Sequence, residues 1–155
     1  MASPATPLSP AEPLLSIQNL SKTYGTQTVL NDLSMQLSAG EIVAITGPSG
    51  CGKTTLLNLI AGLDDPDEGS IVLAKQTLGM LNEQQRTLLR RRSIGFIFQF
   101  FNLIPTLTVA ENCCLPLELN NIIDQKSRVL DQLKQVGLAN KLDQFPEQLS
   151  GGEQQ

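Results

Sequence analysis

The sequence predicts an α/β fold with a parallel sheet. Residues 42–45 form an unbroken, β-branched apolar run, which is typical of a strand covered on both faces. A glycine-rich loop follows this run directly, and residues 54–61 then have helical spacing. Strands mixed with helices, followed by a mainly helical stretch, complete the pattern of an α/β fold with a helical insertion.

The segments before the glycine-rich loop predict two strands and a tail. Residues 17–20 alternate in polarity and predict an edge strand, and residues 29–37 alternate again and predict a second strand. Residues 38–40 have the composition of a turn. Residues 1–13 are rich in proline, which blocks helix and sheet hydrogen bonding, so they predict a disordered or polyproline-like tail.

The segments after the loop predict further elements in a regular order. They are a turn cluster over residues 64–69, a strand over 70–74, an arginine-rich helix over 82–92, a strand over 94–98, a helix over 124–136 and a short helix or loop over 138–146. Thr108 and Glu111 have the spacing of a capping box, which predicts a helix start. Gly62 and Gly137 are predicted to end the helices before them. The arginines of residues 86–92 predict a solvated helix face, with a docking surface as the alternative.

Composition and charge narrow the classes of protein. The net charge of -4 predicts no bulk attraction to nucleic acid or to anionic lipid. Three cysteines, two of them adjacent, do not form a disulfide framework, and they fit a reducing cytosol. No apolar run is long enough to predict a membrane span, and no signal peptide is visible.

The glycine-rich loop has the chemistry of a phosphate-binding site. Residues 47–54 satisfy the full phosphate-loop pattern, between a predicted strand and a predicted helix. The glycines allow positive φ and close backbone approach, and the following helix directs its N terminus at the same anion. Lys53 is predicted to contact the β- and γ-phosphates of a nucleoside triphosphate, and Thr54 to offer a hydroxyl to Mg²⁺. The predicted binding residues are Gly47, Pro48, Ser49, Gly50, Cys51, Gly52, Lys53, Thr54 and Thr55.

The phosphate loop alone does not separate kinases, GTPases, helicases and transporters. Residues 149–154, with the sequence LSGGEQ, narrow that choice. Taken alone they predict a Ser-Gly-Gly turn, but with the phosphate loop they resemble the signature of ABC transporter ATPases. The resemblance implies the P-loop NTPase fold of an ABC nucleotide-binding domain, with a core to about residue 98 and the start of a helical subdomain over about 99–155. It also implies that Ser150, Gly151 and Gly152 contact the γ-phosphate bound by an opposite subunit.

Two further residues match the family at expected places. Tyr24 resembles the aromatic residue that stacks on adenine, and the alternative is an ordinary core or surface tyrosine. Gln99 follows residues 94–98 and resembles the glutamine that contacts Mg²⁺ or the attacking water, with a solvated loop amide as the alternative. Residues 91–105 and 107–112 resemble the lipoprotein-releasing and macrolide-exporter branch of the family.

The resemblance implies an ATP-binding subunit that couples Mg-ATP binding and hydrolysis to transport. The implied partners are transmembrane permease subunits and either a second copy of the chain or a paired ATPase domain, which closes the ATP site. Nucleic acid is not an expected partner. The implied place is the cytoplasmic face of a bacterial-type inner membrane, as a peripheral protein. Phe100 and Phe101 are either core residues or contacts for a helix of the membrane subunit.

The family places its Mg²⁺-binding carboxylate and catalytic base on an apolar strand after the signature, with a histidine further on. Neither follows Gln155, and Asp64 and Asp65 lack the preceding strand that such a site needs. We therefore expect residues 14–155 to be the N-terminal part of a larger domain, with an unpaired sheet edge and negligible ATPase activity. A non-hydrolysing nucleotide-binding fragment and another phosphate-loop enzyme, such as a small kinase, remain as alternatives, although the signature argues against the latter.

Overall fold

The computed structural model describes residues 12–155, which form two compact units. The first unit extends to Ser93, and the second spans Ile94–Gln155. The tail predicted over residues 1–13 lies outside the described residues, except for its last two positions. Among residues 12–155, no helix combines the length and the apolar character needed to cross a membrane.

The first unit joins a four-stranded antiparallel sheet to two helices. The strands are β1 (Leu15–Tyr24), β2 (Gln27–Leu37), β3 (Glu68–Leu73) and β4 (Gln76–Thr77), hydrogen-bonded in the order β2-β1-β3-β4. The helices are α1 (Lys53–Ile60) and α2 (Glu83–Ser93), and a 3₁₀ turn at Leu78–Met80 precedes α2. The strands predicted over residues 17–20, 29–37 and 70–74 are confirmed, as are both helices. The edge position predicted for the first strand is wrong, because β1 pairs with β2 on one side and β3 on the other.

The strands predicted over residues 42–45 and 94–98 are wrong. Neither segment pairs with another strand among residues 12–155, and Ile42 and Ile97 are each 96% exposed. A strand covered on both faces needs hydrogen-bonded neighbours beside it and packed layers above and below it. Within residues 12–155 these segments have no hydrogen-bonded neighbouring strand and no packed layer on either face. Their apolar composition is typical of a buried strand, but their side chains are largely exposed. The sheet of the first unit is consequently antiparallel rather than the predicted parallel sheet.

A β-bulge at Asn19 sets which side chains of β1 point inward. The register of β1 shifts there against both neighbouring strands, and Asn19 has a φ of 49°, a left-handed conformation that asparagine tolerates. Gly69 of β3 has a φ of 88° and lies against the bulge, where an added Cβ would collide with the carbonyl oxygens of Gln18 and Asn19. Before the bulge the buried residues are odd-numbered, and after it they are even-numbered. The shift therefore turns Lys22, rather than either of its neighbours, into the interior.

The arginine-rich helix α2 is tied to the segment that follows α1. The Arg86 guanidinium pairs with the Asp65 carboxylate at 2.7 Å, and Arg90 donates to the Gly62 carbonyl at 2.8 Å. Both arginine side chains are partly buried, so the predicted solvated face is wrong for them, whereas the next two arginines are exposed. The planar guanidinium offers several donors in fixed directions, which suits the carbonyl and carboxylate groups of this segment.

The second unit is helical. Its elements are α3 (Val109–Leu119), α4 (Gln125–Gln135), a 3₁₀ turn at Pro146–Gln148 and the short α5 (Gly151–Gln154). The predicted capping box is confirmed: the Thr108 N–H donates to the Glu111 carboxylate at 2.8 Å, and the Glu111 N–H donates to the Thr108 hydroxyl at 3.3 Å. The core of the unit consists of Val109, Val129, Leu133 and Leu149. Leu149 is the first residue of the LSGGEQ motif, so the core anchors the start of that motif.

Candidate functional site

The phosphate loop lies in the first unit, where it leads directly into α1. Gly52 is the N-cap of α1 with a φ of 95°, and it has no side chain to accept from the helix N–H groups. No acidic residue lies in the first turn. The first N–H groups of a helix lack intrahelical acceptors and carry partial positive charge. The start of α1 therefore offers unneutralised donors beside the loop.

Two glycines of the loop combine a positive φ with close neighbours. A Cβ added at Gly52 would lie 2.9 Å from Val29 Cγ1 and 3.0 Å from the Val29 carbonyl oxygen. A Cβ at Gly47, whose φ is 154°, would lie 2.7 Å from Cys51 Sγ. Real Cβ atoms do not approach other heavy atoms so closely, and positive φ values are costly for residues with a side chain. The glycines of the loop thus meet two needs, a positive φ and close packing against neighbouring atoms.

Lys53 closes the loop on itself. Its ammonium group donates to the carbonyl oxygens of Gly47 at 2.8 Å and Pro48 at 2.7 Å, and it lies 3.6 Å from Cys51 Sγ. The positive charge is therefore held inside the curve of the loop, next to the donors of α1. The Thr54 side chain is exposed on the first turn of that helix. Residues 47–55, predicted to bind phosphate, thus lie together in one loop and the first turn of α1.

Tyr24, predicted to stack on adenine, is the last residue of β1 and is 48% exposed. Its hydroxyl donates to Asp64 Oδ2 at 2.5 Å. Lys22 Nζ donates to the other oxygen of the Asp64 carboxylate at 2.9 Å and to the Asp65 carbonyl at 2.6 Å. The Lys22 ammonium also lies over the Tyr24 ring, 5.1 Å from its centroid. The tyrosine is thus held by a charged pair at the end of the strand.

These contacts shift the pKa values of the three groups in consistent directions. The Tyr24 hydrogen bond, followed by that of Lys22, lowers the pKa of Asp64. The Asp64 carboxylate accepts a hydrogen bond from the protonated phenol and so raises the pKa of Tyr24, and its hydrogen bond with Lys22 likewise raises the pKa of Lys22. From the sequence, Asp64 is predicted to lie in a turn and is excluded as the Mg²⁺-binding carboxylate, and Lys22 is not identified. The inward turn of a lysine after a bulge depends on the neighbouring strands and is therefore a non-local feature.

The LSGGEQ motif, residues 149–154, lies in the second unit and leads into α5. The Ser150 N–H and hydroxyl each donate to Glu153 Oε2 at 2.9 Å. Lys141 Nζ donates to the other oxygen of this carboxylate at 2.5 Å. The Lys141 hydrogen bond and those of Ser150 lower the pKa of Glu153 to about 2. The Ser150 hydroxyl is thus oriented by a carboxylate that stays ionised at neutral pH.

Gln99 and the two phenylalanines after it are also in the second unit. The Gln99 side chain is exposed on a bend. Phe100 is 77% exposed and Phe101 is exposed as well, so neither belongs to the core of this unit. The core interpretation of these phenylalanines is wrong, and a role in partner contact stays a prediction.

The chain is similar to known ABC transporter proteins. A family model described as ABC transporter matches residues 30–155. The chain is 47% identical over 148 residues to the lipoprotein-releasing system ATP-binding protein LolD of Pseudomonas syringae, an alignment that covers 92% of this chain and 65% of the relative. It is 45% identical over 150 residues to an uncharacterized ABC transporter ATP-binding protein of Mycobacterium tuberculosis, covering 93% of this chain and 60% of the relative. The chain thus spans 60% to 65% of the length of these relatives.

Solved structures agree with the sequence comparison. A dimeric structure of the ATP-binding cassette MJ0796, in a post-hydrolysis state bound to ADP and Pi, matches with a TM-score of 0.80 and 38% identity. The match covers 90% of this chain and 65% of that one. A second dimeric structure of the same cassette matches with a TM-score of 0.81. The predicted α/β P-loop NTPase fold class is therefore confirmed.

Proposed function

The chain belongs to the ABC transporter family, and we propose that its phosphate loop binds Mg-ATP as part of the ATP-binding subunit of a transporter. The family match makes a small kinase a poor alternative. Relatives named as ATP-binding proteins, one of them in a lipoprotein-releasing system, support the proposal.

The position of Lys53 is the observation that carries the proposal. Its ammonium lies inside the loop, held by two backbone carbonyls, while the start of α1 adds uncapped N–H donors. A triphosphate that enters this loop would accept from the same ammonium and from the helix N–H groups. Mg²⁺ usually keeps several waters and takes only one or two protein ligands beside the phosphates. The exposed Thr54 hydroxyl fits such a site and would be its protein ligand.

For the whole protein we propose hydrolysis of ATP coupled to transport. Permease subunits would be the membrane partners at the cytoplasmic face of the membrane, and a second ATPase domain would close the nucleotide site. In that pair Ser150, Gly151 and Gly152 would face the γ-phosphate held by the other domain, and Gln99 would help to position Mg²⁺ or water. The dimeric state of the similar cassette supports a paired arrangement. The Ser150 hydroxyl would then exchange its bond with Glu153 for one with phosphate.

Binding of Mg-ATP to the full 155-residue chain tests the proposal. Isothermal titration calorimetry compares the unchanged chain with Lys53→Ala and with Lys126→Ala. Lys126 is an exposed residue of α4, so its replacement removes the same charge from another place. We expect Lys53→Ala to weaken binding by about tenfold or more, which corresponds to about 1.4 kcal/mol.

The control variant should bind Mg-ATP as the unchanged chain does. Equal losses in both lysine variants would indicate a general charge effect and would contradict a specific role for Lys53. An unchanged chain that binds no Mg-ATP would overturn the proposed function directly.

A further inference from the structure

We propose that Asp64 and Lys22 are positioning residues for nucleobase recognition, because together they hold the Tyr24 ring with one face open to a stacked base. The inference rests on the proposed function and deepens it. It assigns a task to a charged pair that phosphate binding does not require.

Three contacts fix the Tyr24 ring. Its hydroxyl is tethered to Asp64 Oδ2 at 2.5 Å, and its backbone is held in β1 opposite Gln27 of β2. The Lys22 ammonium lies over the ring at 5.1 Å from its centroid, within the range of a cation–π contact. A ring with both its hydroxyl and one face engaged has few remaining orientations. A partner that stacks on it therefore loses less conformational freedom on binding than it would with a free side chain.

The pair itself is firmly held. Lys22 is only 8% exposed, and its ammonium donates to Asp64 at 2.9 Å and to the Asp65 carbonyl at 2.6 Å. Asp67 lies 3.8 Å from the same ammonium and accepts from the Thr23 N–H at 2.7 Å. A lysine placed here by the bulge in β1 is thus surrounded by acceptors. Removal of one partner would leave a shielded charge short of its hydrogen bonds.

The hydroxyl end of the Tyr24 ring lies near the start of α1. The Thr55 side chain, in the first turn of that helix, is close enough to the tyrosine hydroxyl to affect its pKa. The same turn carries the end of the phosphate loop. Because Lys22 occupies one face of the ring and the residue is 48% exposed, the solvent-facing side is left for a flat partner. The adenine of a nucleotide whose phosphates occupy the loop has the matching shape and chemistry.

Charge balance supports the same assignment. Residues 64–67 contain three aspartates beside the end of β1, which by themselves would repel an anionic nucleotide there. Lys22 pairs with Asp64 and Asp67, while Arg86 pairs with Asp65 at 2.7 Å. The tether to Tyr24 therefore does not bring an uncompensated negative charge to the site.

The test compares two ligands on the full chain, Mg-ATP and inorganic tripolyphosphate with Mg²⁺. The variants are Asp64→Asn, which removes the charge that holds Lys22, and Tyr24→Phe, which removes only the tethered hydroxyl. Asp143→Asn, at an exposed position of the second unit, is the matched control. We expect each of the first two variants to weaken Mg-ATP binding by about three- to tenfold and to leave tripolyphosphate binding unchanged.

A second measurement examines the tether without any ligand. Tyr24 is the only tyrosine and the chain has no tryptophan, so the ultraviolet absorbance of tyrosinate reports on this side chain alone. The Asp64 carboxylate stabilises the protonated phenol and repels its anion, so Asp64→Asn should lower the pH at which Tyr24 ionises. Asp143→Asn should not change it. Tyr24→Phe, which leaves the Lys22–Asp64 pair in place, provides the binding result if Asp64→Asn fails to fold.

The outcomes are separable. Equal weakening of both ligands in Asp64→Asn and Tyr24→Phe would show a general structural role and would overturn the inference. Unchanged Mg-ATP binding in Tyr24→Phe would also overturn it, as would an unchanged Tyr24 titration in folded Asp64→Asn. If the unchanged chain bound neither ligand, the proposed function itself would fail, whereas the tyrosine titration would still show whether Asp64 holds the ring.

Discussion

Replacement of Gly52 by alanine should destabilise the first unit strongly. The φ of 95° is unfavourable for any residue with a Cβ, at a cost of about 1–2 kcal/mol. The new Cβ would also lie 2.9 Å from Val29 Cγ1, 3.0 Å from the Val29 carbonyl oxygen and 3.1 Å from Leu30 Cδ2. Overpacking of this kind costs about 1–3 kcal/mol, since the valine is stiff and the carbonyl belongs to β2. We therefore expect a total loss of about 2–5 kcal/mol.

Gly50→Ala separates the two contributions. Gly50 has a φ of 79°, but an added Cβ there would meet nothing within 4 Å. Its replacement should cost only the conformational part, about 1–2 kcal/mol. Equilibrium unfolding in urea, followed by the fluorescence of Tyr24, measures both variants in the unit that contains the loop.

The difference in free energy of unfolding between the two variants measures the contribution of close packing at Gly52. We expect Gly52→Ala to be less stable than Gly50→Ala by about 1–3 kcal/mol. Equal stabilities within about 0.5 kcal/mol, the usual scatter of neutral surface changes, would refute the close packing of Gly52 against Val29.

The other predictions concern contacts away from the loop. Arg90→Ala should destabilise the first unit by about 1–3 kcal/mol in the same urea assay, while Arg91→Ala, at an exposed position, should stay within about 0.5 kcal/mol. Thr108→Ala removes the N-cap of α3 and should lower the free energy of unfolding of the second unit by about 1 kcal/mol, measured by circular dichroism during denaturation. Thr106→Ala, two residues earlier, should lower it much less. The pKa of Glu153 falls from 4.5 to about 2 on folding, so its contribution to stability is complete above pH 4.5 and is lost as the pH falls toward 2. When the free energy of unfolding is measured as a function of pH, Glu153→Gln should therefore lose less stability than the unchanged chain between pH 4.5 and about 2. The same pH dependence in both would contradict the Lys141–Glu153 contact.

Local signals predicted much of the fold and of the phosphate loop. The alternation of residues 29–37, the helical spacing after the loop and the capping box at Thr108 each depend on neighbours within one element. The phosphate loop is likewise contiguous, so its residue types and spacing reveal its geometry. Such features follow from sequence because the interacting groups are at most a few positions apart.

Non-local features were not predictable in this way. Residues 42–45 and 94–98 have the composition of buried strands, but pairing depends on partners elsewhere in the chain. The Lys22–Asp64 and Arg86–Asp65 pairs join distant segments, and the first depends on a bulge opposite Gly69. The Tyr24 ring could be proposed as a nucleobase contact from resemblance, but the groups that hold it became visible only in the structure.

Amide NMR spectra of the full chain, recorded with Mg-ATP, test the central claim most directly. If the loop and the start of α1 hold the phosphates, the largest shifts should fall on the N–H groups of residues 47 and 49–55, and tripolyphosphate should reproduce them. The Lys53→Ala variant should need a ligand concentration about tenfold or more higher to reach the same shifts. Saturating Mg-ATP that shifts only amides outside residues 47–55, or none, would contradict the account.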